Sequence, residues 1–154
     1  REAGDWQTKV DGPTLEANDL MVLGFAYFRL GFIPEAEELF EKQLSILVAA
    51  EEWLYLPAGL VARAQFYAAI GSHAAAKADL NEALRIAERT GAILSRIDAL
   101  LCFTQLHITE GSLDYARAYL AEARLLSDQI DLAYYADKIQ SAENEIDAPS
   151  VAAI

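Results

Sequence analysis

The sequence predicts an all-α fold, an α-solenoid of three antiparallel helix pairs with a C-terminal capping helix, wound as a right-handed superhelix. Three observations predict it. Gly31, Gly71 and Gly111 stand at an identical spacing of 40 residues. Other residues keep the same register: Ala36, Ala76 and Ala116; Leu20, Leu60 and Leu100; then Phe40, Leu80 and Leu120. A fixed period of this length marks a stacked-repeat architecture. Finally, apolar residues fall at three- and four-residue steps on both sides of each glycine, which places them on one face of a helix.

Taken in order, residues 1–13 hold Gly4, Gly12 and Pro13 and few apolar residues, so they read as a loop or the end of a preceding repeat. The repeat domain spans 14–146, with units over about 14–50, 51–90 and 91–130. In the first unit Leu20, Leu23, Tyr27 and Leu30 form one stripe, and Ala36, Leu39, Phe40, Leu44 and Leu47 form the next. Gly31 between them is the hinge of a helix pair, because glycine accepts the positive φ that ends a helix. Pro34 suits the first turn of the following helix.

The second unit begins at Pro57 and runs through Leu60, Ala64, Tyr67 and Ile70 to Gly71. Ser72 is placed to cap a helix carrying Ala76, Leu80, Ala83, Leu84 and Ala87, which Gly91 stops. The third runs through Ile97, Leu100, Phe103, Thr104 and His107 to Gly111, then from the Ser112 cap through Ala116, Leu120, Ala123 and Leu126. A seventh amphipathic stretch, with Tyr135, Ile139 and Ala142 on one side, is expected over 131–146 to cover the open end of the stack. The tail 147–154 contains Pro149 and little periodicity, and a flexible segment is expected there.

Composition narrows the function classes. The 154 residues are 54% hydrophobic, which describes a folded chain, and the formal net charge is −12. So acidic a surface repels phosphate backbones and anionic lipid heads, which argues against nucleic acid and membrane partners. No apolar run reaches the roughly 18–20 residues of a membrane span. Cys102 is the single cysteine, so no internal disulfide can form, and a reducing, cytoplasmic compartment is expected. The chain opens on Arg1 without an initiator methionine or a signal-peptide pattern, and is expected to be a piece of a longer protein.

Within each unit the pattern resembles the tetratricopeptide repeat. Leu20, Leu23-Gly24, Tyr27, Gly31, Ala36 and Phe40 carry the resemblance in unit one. Ala64, Tyr67, Gly71, Ala76, Leu80 and Ala83 carry it in unit two, and Thr104, His107, Gly111, Ala116, Leu120 and Ala123 in unit three. The sequence departs from that family in its period, which is usually about 34 residues. It also lacks the closing proline near Val48, Glu88 and Asp128, so each second helix is expected to run on. Gln43 replaces the expected alanine. A narrower resemblance covers about residues 56–128. Leu56-Pro57-Ala58-Gly59-Leu60 with Arg63-Ala64, and Ala78-Asp79-Leu80-Asn81-Glu82-Ala83 with Ile86-Ala87, resemble C-terminal repeats of large bacterial STAND-class signalling proteins. That resemblance implies a sensor or scaffold role in a larger chain.

Candidate sites follow. His73 and His107 are the only histidines and lie 34 residues apart, whereas a metal site wants several ligands at close spacing. His107 stands where Tyr27 and Tyr67 stand in the other units and is expected to be a packed, hydrogen-bonded core residue. Cys102 has no evident partner base and reads as a structural thiol. Arg63 occupies an inward position, and a buried guanidinium must be paired, so Asp79 and Asp98 are its expected partners; an anion-binding arginine is the alternative. Glu35, Glu37, Glu38 and Glu41 read as a solvated helix face. No nucleophile–base pair, metal cluster or phosphate loop can be quoted, so no enzyme and no cofactor are expected.

Projecting the repeat pattern puts Asn18, Met21, Phe25 and Phe28 of unit one on the concave face. Val61, Gln65 and Ala68 of unit two follow, then Asp98, Leu101, Gln105 and Ile108 of unit three. An apolar groove with a few amides suits an amphipathic or extended peptide. The expected function is therefore protein or peptide binding by a non-catalytic module. The alternatives are homo-oligomerisation through the same apolar face and cover by another part of the full protein.

Overall fold

The computed structural model describes residues 12–148, which are all-helical apart from short connections. Seven helices are present among them. They are α1 (Pro13–Arg29), α2 (Ile33–Ala49), α3 (Leu56–Ala69), α4 (His73–Thr90), α5 (Ile93–Thr109), α6 (Leu113–Ser127) and α7 (Ala133–Asp147). Residues 1–11 and 149–154, on which the expectations of a leading loop and a flexible tail mostly fall, lie outside the described residues. Pro13 belongs to α1 rather than to a loop, and Asp147 closes α7.

The hinge glycines do what their spacing predicts. Gly31 and Gly111 have φ of 87° and 77°. Past each, the next residue folds its N–H back five residues: Phe32 to the Tyr27 carbonyl at 3.0 Å and Ser112 to the His107 carbonyl at 2.8 Å. This bond satisfies a carbonyl that the helix end would leave orphaned. Ser72 and Ser112 occupy N-cap positions, but neither side chain makes the expected capping bond. Their backbone N–H groups are engaged in closing the preceding helix. Their carbonyls accept from Ala76 at 3.0 Å and Ala116 at 3.1 Å, so the turn is held by main chain alone.

A second hinge repeats between units with the same period. Glu51, Gly91 and Asp131 have φ of 55°, 73° and 48°. Two of the three are not glycine, and a non-glycine residue in the left-handed region carries strain.

Packing follows the register. Ala36, Ala76 and Ala116 are fully buried, and Phe40, Leu80 and Leu120 lie beside them in the core. At the α1 end the Phe40 ring is wedged between Phe25, 5.0 Å away and edge-on, and Phe66 at 5.2 Å. A Cβ on Gly24 would stand 3.0 Å from two atoms of that ring, so the glycine is what lets the ring lie against α1. Gly59 in turn makes room for the glutamine that departs from the repeat pattern. Gln43 is buried, and its side-chain nitrogen would be 3.1 Å from a Cβ at Gly59, where α2 and α3 approach closely.

Contacts run along the chain: α1 with α2, α2 with α3, and so on to α6 with α7. In addition α1 packs on α3, α3 on α5 and α5 on α7. The odd-numbered helices thus adjoin one another in a continuous row. At the C-terminal end Tyr135, Ile139, Ala142 and Ile146 of α7 are buried in one cluster with Leu120, Ala123 and Leu126 of α6.

Candidate functional site

Arg63 is engaged as its inward position predicts, but with one partner rather than two. Its Nε and Nη2 donate to Asp79 Oδ2 and Oδ1, both at 2.8 Å, in a two-pronged pair between α3 and α4. The Arg63 side chain is 23% exposed and that of Asp79 10%. The guanidinium also lies 5.6 Å over the Tyr67 ring, and the Tyr67 hydroxyl donates to Glu37 at 3.2 Å. The hydrogen bonds to Asp79 raise the Arg63 pKa against the cost of burial. Glu41 and Glu82 line the same outer hollow as Arg63, so an anion approaching the guanidinium meets two carboxylates. The anion-binding alternative is disfavoured on that ground.

Asp98 is not a partner of Arg63. It neighbours the buried Ala99 on α5, about 100° around the helix from it, and that rotation turns it toward α7. There it meets the Tyr135 hydroxyl and the field of Lys138. Burial raises its pKa, while the Tyr135 hydroxyl and then the Lys138 charge partly oppose the rise.

Asp98 opens onto a cleft of about 450 Å³ formed by α3, α5 and α7. Gln65 and Ala68 line it from α3. Asp98, Leu101, Cys102, Gln105, Leu106 and Thr109 line it from α5, and Lys138, Ser141, Ala142 and Glu145 from α7, with His73 added from α4. The Gln105 amide nitrogen donates to both carboxylate oxygens of Glu145, at 3.1 and 3.0 Å, and ties α5 to α7 across the cleft. Burial, aided by the Asp98 charge, pushes the Cys102 thiol up to about 11. It is therefore protonated near neutral pH and is a poor nucleophile.

The structure brings Gln65, Ala68, Asp98, Leu101 and Gln105 together and leaves the other expected groove residues apart. Val61 is 5% exposed, buried in the cluster that contains Ala17 of α1, so it offers no surface to a partner. The close approach of α1 to α3 is the reason. Met21, Phe25 and Phe28 are half-buried against Phe40 and Phe66, and Asn18 is exposed; none lines the cleft. Ile108 packs toward the C-terminal core cluster instead. The 40-residue register does not point to the α7 residues, because α7 lies beyond the third unit. Lys138, Ser141 and Glu145 follow one another at three- and four-residue steps, and that polar stripe was the available signal.

His107 is packed, but by aromatic stacking rather than by a hydrogen bond on Nδ1. Its ring stacks on Tyr115 and Tyr119 at 5.3 and 5.4 Å, and Nδ1 stands 3.7 Å from Glu110 without a hydrogen-bond partner. Glu110 is engaged by Lys77 at 2.8 Å and by His73 at 3.1 Å. Among the described residues no group of three His, Cys, Asp or Glu side chains could hold a metal ion, and no helix is long and apolar enough to cross a membrane. Comparison with family models, curated proteins and solved structures returned no match.

Proposed function

We propose that the chain is a tetratricopeptide-like α-solenoid that binds a protein or peptide segment in the cleft between α3, α5 and α7, without catalysis. The observation that carries this reading is the cleft itself. It is walled by three helices, mixed in character, and lined by Leu101 and by the amide residues Gln65 and Gln105. Such a lining suits main-chain hydrogen bonding combined with a few apolar anchors. The row of odd-numbered helices supports a curved stack. These helices adjoin one another while the even-numbered ones meet mainly their chain neighbours, which supports assigning the odd layer to the inner, concave side. A right-handed superhelix is the hand that the tetratricopeptide resemblance implies. A sensor or scaffold role inside a larger bacterial, cytoplasmic signalling protein is the setting we assign to it.

Peptides selected from a random display library against the intact chain would test the reading. Leu101→Glu should weaken the selected binders by at least about tenfold, with helicity preserved and some loss of urea midpoint, since Leu101 also packs on the C-terminal core cluster. Glu37→Lys and Glu41→Lys, on the outer helix, should change affinity by no more than about threefold. Binders indifferent to Leu101→Glu and abolished by the outer charges would overturn the cleft assignment.

Self-association is the second reading, and a specific observation favours it. Val22, Leu23, Leu30 and Phe32 are 57%, 46%, 72% and 50% exposed along and just beyond α1. The equivalents of Leu23 and Ala26 in α5, Phe103 and Leu106, are 2% and 3% exposed. Sedimentation of the chain and of Leu23→Glu would separate the two: a dimer lost in the variant supports self-association through α1.

A further inference from the structure

Resting on the cleft reading above, we infer that the segment bound there is an extended peptide carrying a lysine or arginine side chain, whose cation seats on Asp98.

The argument begins with a contrast between two aspartates. Asp79 is 7% exposed, and both its oxygens are taken by the Arg63 guanidinium. Asp98 is half-buried, yet among the described residues no cation lies within 4.0 Å of it. Its neighbour is a tyrosine hydroxyl, which is neutral. A desolvated carboxylate gains most from a cation brought to it in a dry setting. Burial already makes the unpaired charge costly, as the upward displacement of its pKa reflects.

The candidate internal cation is turned aside. Lys138 lines the cleft, but its ammonium rests 4.6 Å over the Tyr134 ring on its own helix. The other basic groups nearby are engaged, Lys77 and His73 with Glu110 and Arg63 with Asp79. The surroundings of Asp98 also fit a long side chain. Ala68, Leu101 and Ala142 offer aliphatic surface for a methylene stem, with the charged head beyond it. Glu145 adds a second carboxylate to the lining, and the net charge of −12 draws a basic segment in.

The test uses nonapeptides selected from a random display library on the intact chain. Each binder is titrated in its selected form and with its Lys or Arg changed to norleucine, against the wild type, Asp98→Asn and Lys138→Ala. The selected peptides should carry a basic residue. Norleucine should weaken binding to the wild type by about 10- to 100-fold, and should cost far less against Asp98→Asn, because the two changes remove one interaction. Lys138→Ala should strengthen binding of the basic form, by about two- to fivefold. The norleucine arm changes the ligand and does not depend on a variant folding. Binders that are sensitive to Leu101→Glu yet indifferent to norleucine overturn the inference and leave the cleft reading standing. Binders indifferent to Leu101→Glu overturn the cleft reading itself.

Discussion

Arg63→Met removes one side of the ion pair between α3 and α4 while keeping a side chain of similar reach. The Asp79 side chain is 10% exposed and takes both its hydrogen bonds from Arg63 at 2.8 Å, so the variant leaves a nearly dry carboxylate without a cation. Breaking a buried pair from one side costs about 3–5 kcal/mol. Arg63 keeps 23% exposure, which lets water reach part of the vacated space, so the lower end, about 3 kcal/mol, is expected. The contact of the guanidinium with Tyr67 is lost too, but a methionine sulfur near the same ring recovers part of it. For a chain of this length 3 kcal/mol lowers Tm by roughly 6–12 °C. Urea denaturation followed by circular dichroism measures it, with an unchanged slope confirming two-state behaviour. Arg63→Met combined with Asp79→Leu should regain about 2 kcal/mol of the loss, since neither partner then remains unpaired. A single-variant cost below about 0.5 kcal/mol, or two changes that simply add, would refute a buried, mutually dependent pair.

Four further outcomes are expected. Gly31→Val and Gly111→Val should each cost roughly 1–3 kcal/mol in urea unfolding; a Cβ meets nothing within 4 Å at either site, so an unchanged midpoint would mean the positive φ is not required. Gly24→Ala should cost about 1–3 kcal/mol because Phe25 and Phe66 prevent the Phe40 ring from yielding, and a neutral substitution would contradict that packing. Glu51→Gly should stabilise by up to about 1 kcal/mol by relieving the left-handed strain at φ 55°, and a loss of stability would show that the Glu51 side chain matters more than its backbone. Burial, and then the Lys77 charge, hold His107 below the ordinary histidine range against the pull of Glu110. The folded chain therefore refuses a proton that the unfolded chain accepts, and stability falls as pH drops below about 6.5. His107→Tyr, the residue present at Tyr27 and Tyr67, should flatten the loss of urea midpoint between about pH 7.5 and 5.5, and an unaltered slope would exclude His107 as a contributor.

Where the repeat kept its own residues, the sequence told the fold plainly. Ala36, Ala76 and Ala116 all reach zero exposure, because a helix pair that crosses closely admits nothing larger at that position. The hinge between units was hidden because Glu51 and Asp131 hold the left-handed conformation without glycine, leaving Gly91 as its only visible mark. Periodicity also assumes that like positions are alike in burial, and α1 breaks that assumption. Leu23 and Tyr27 are 46% and 40% exposed although their equivalents in unit three, Phe103 and His107, are buried and half-buried, since no helix among the described residues packs on that face of α1. Half of the cleft was legible, as Gln65, Ala68, Asp98, Leu101 and Gln105 show. The other half comes from α7, whose place depends on tertiary packing that a 40-residue register does not encode. The Arg63 partner was narrowed to two carboxylates, and only the rotation of α5 decides that Asp98 looks the other way.

No helix makes its main contacts further than two places along the row, so α1 and α7 share no interface. Closing such contacts sacrifices little chain freedom, and the domain should fold quickly for its size. Opening should be graded rather than global. Amide hydrogens of α1 and α7, which have neighbours on one side only, should exchange first, and those of α3 to α5, held from both sides, should exchange last. The cleft straddles this gradient. Its α3 and α5 walls belong to the slowest-exchanging part of the molecule and its α7 wall to one of the fastest, so a bound segment would register chiefly as slowed exchange in α7.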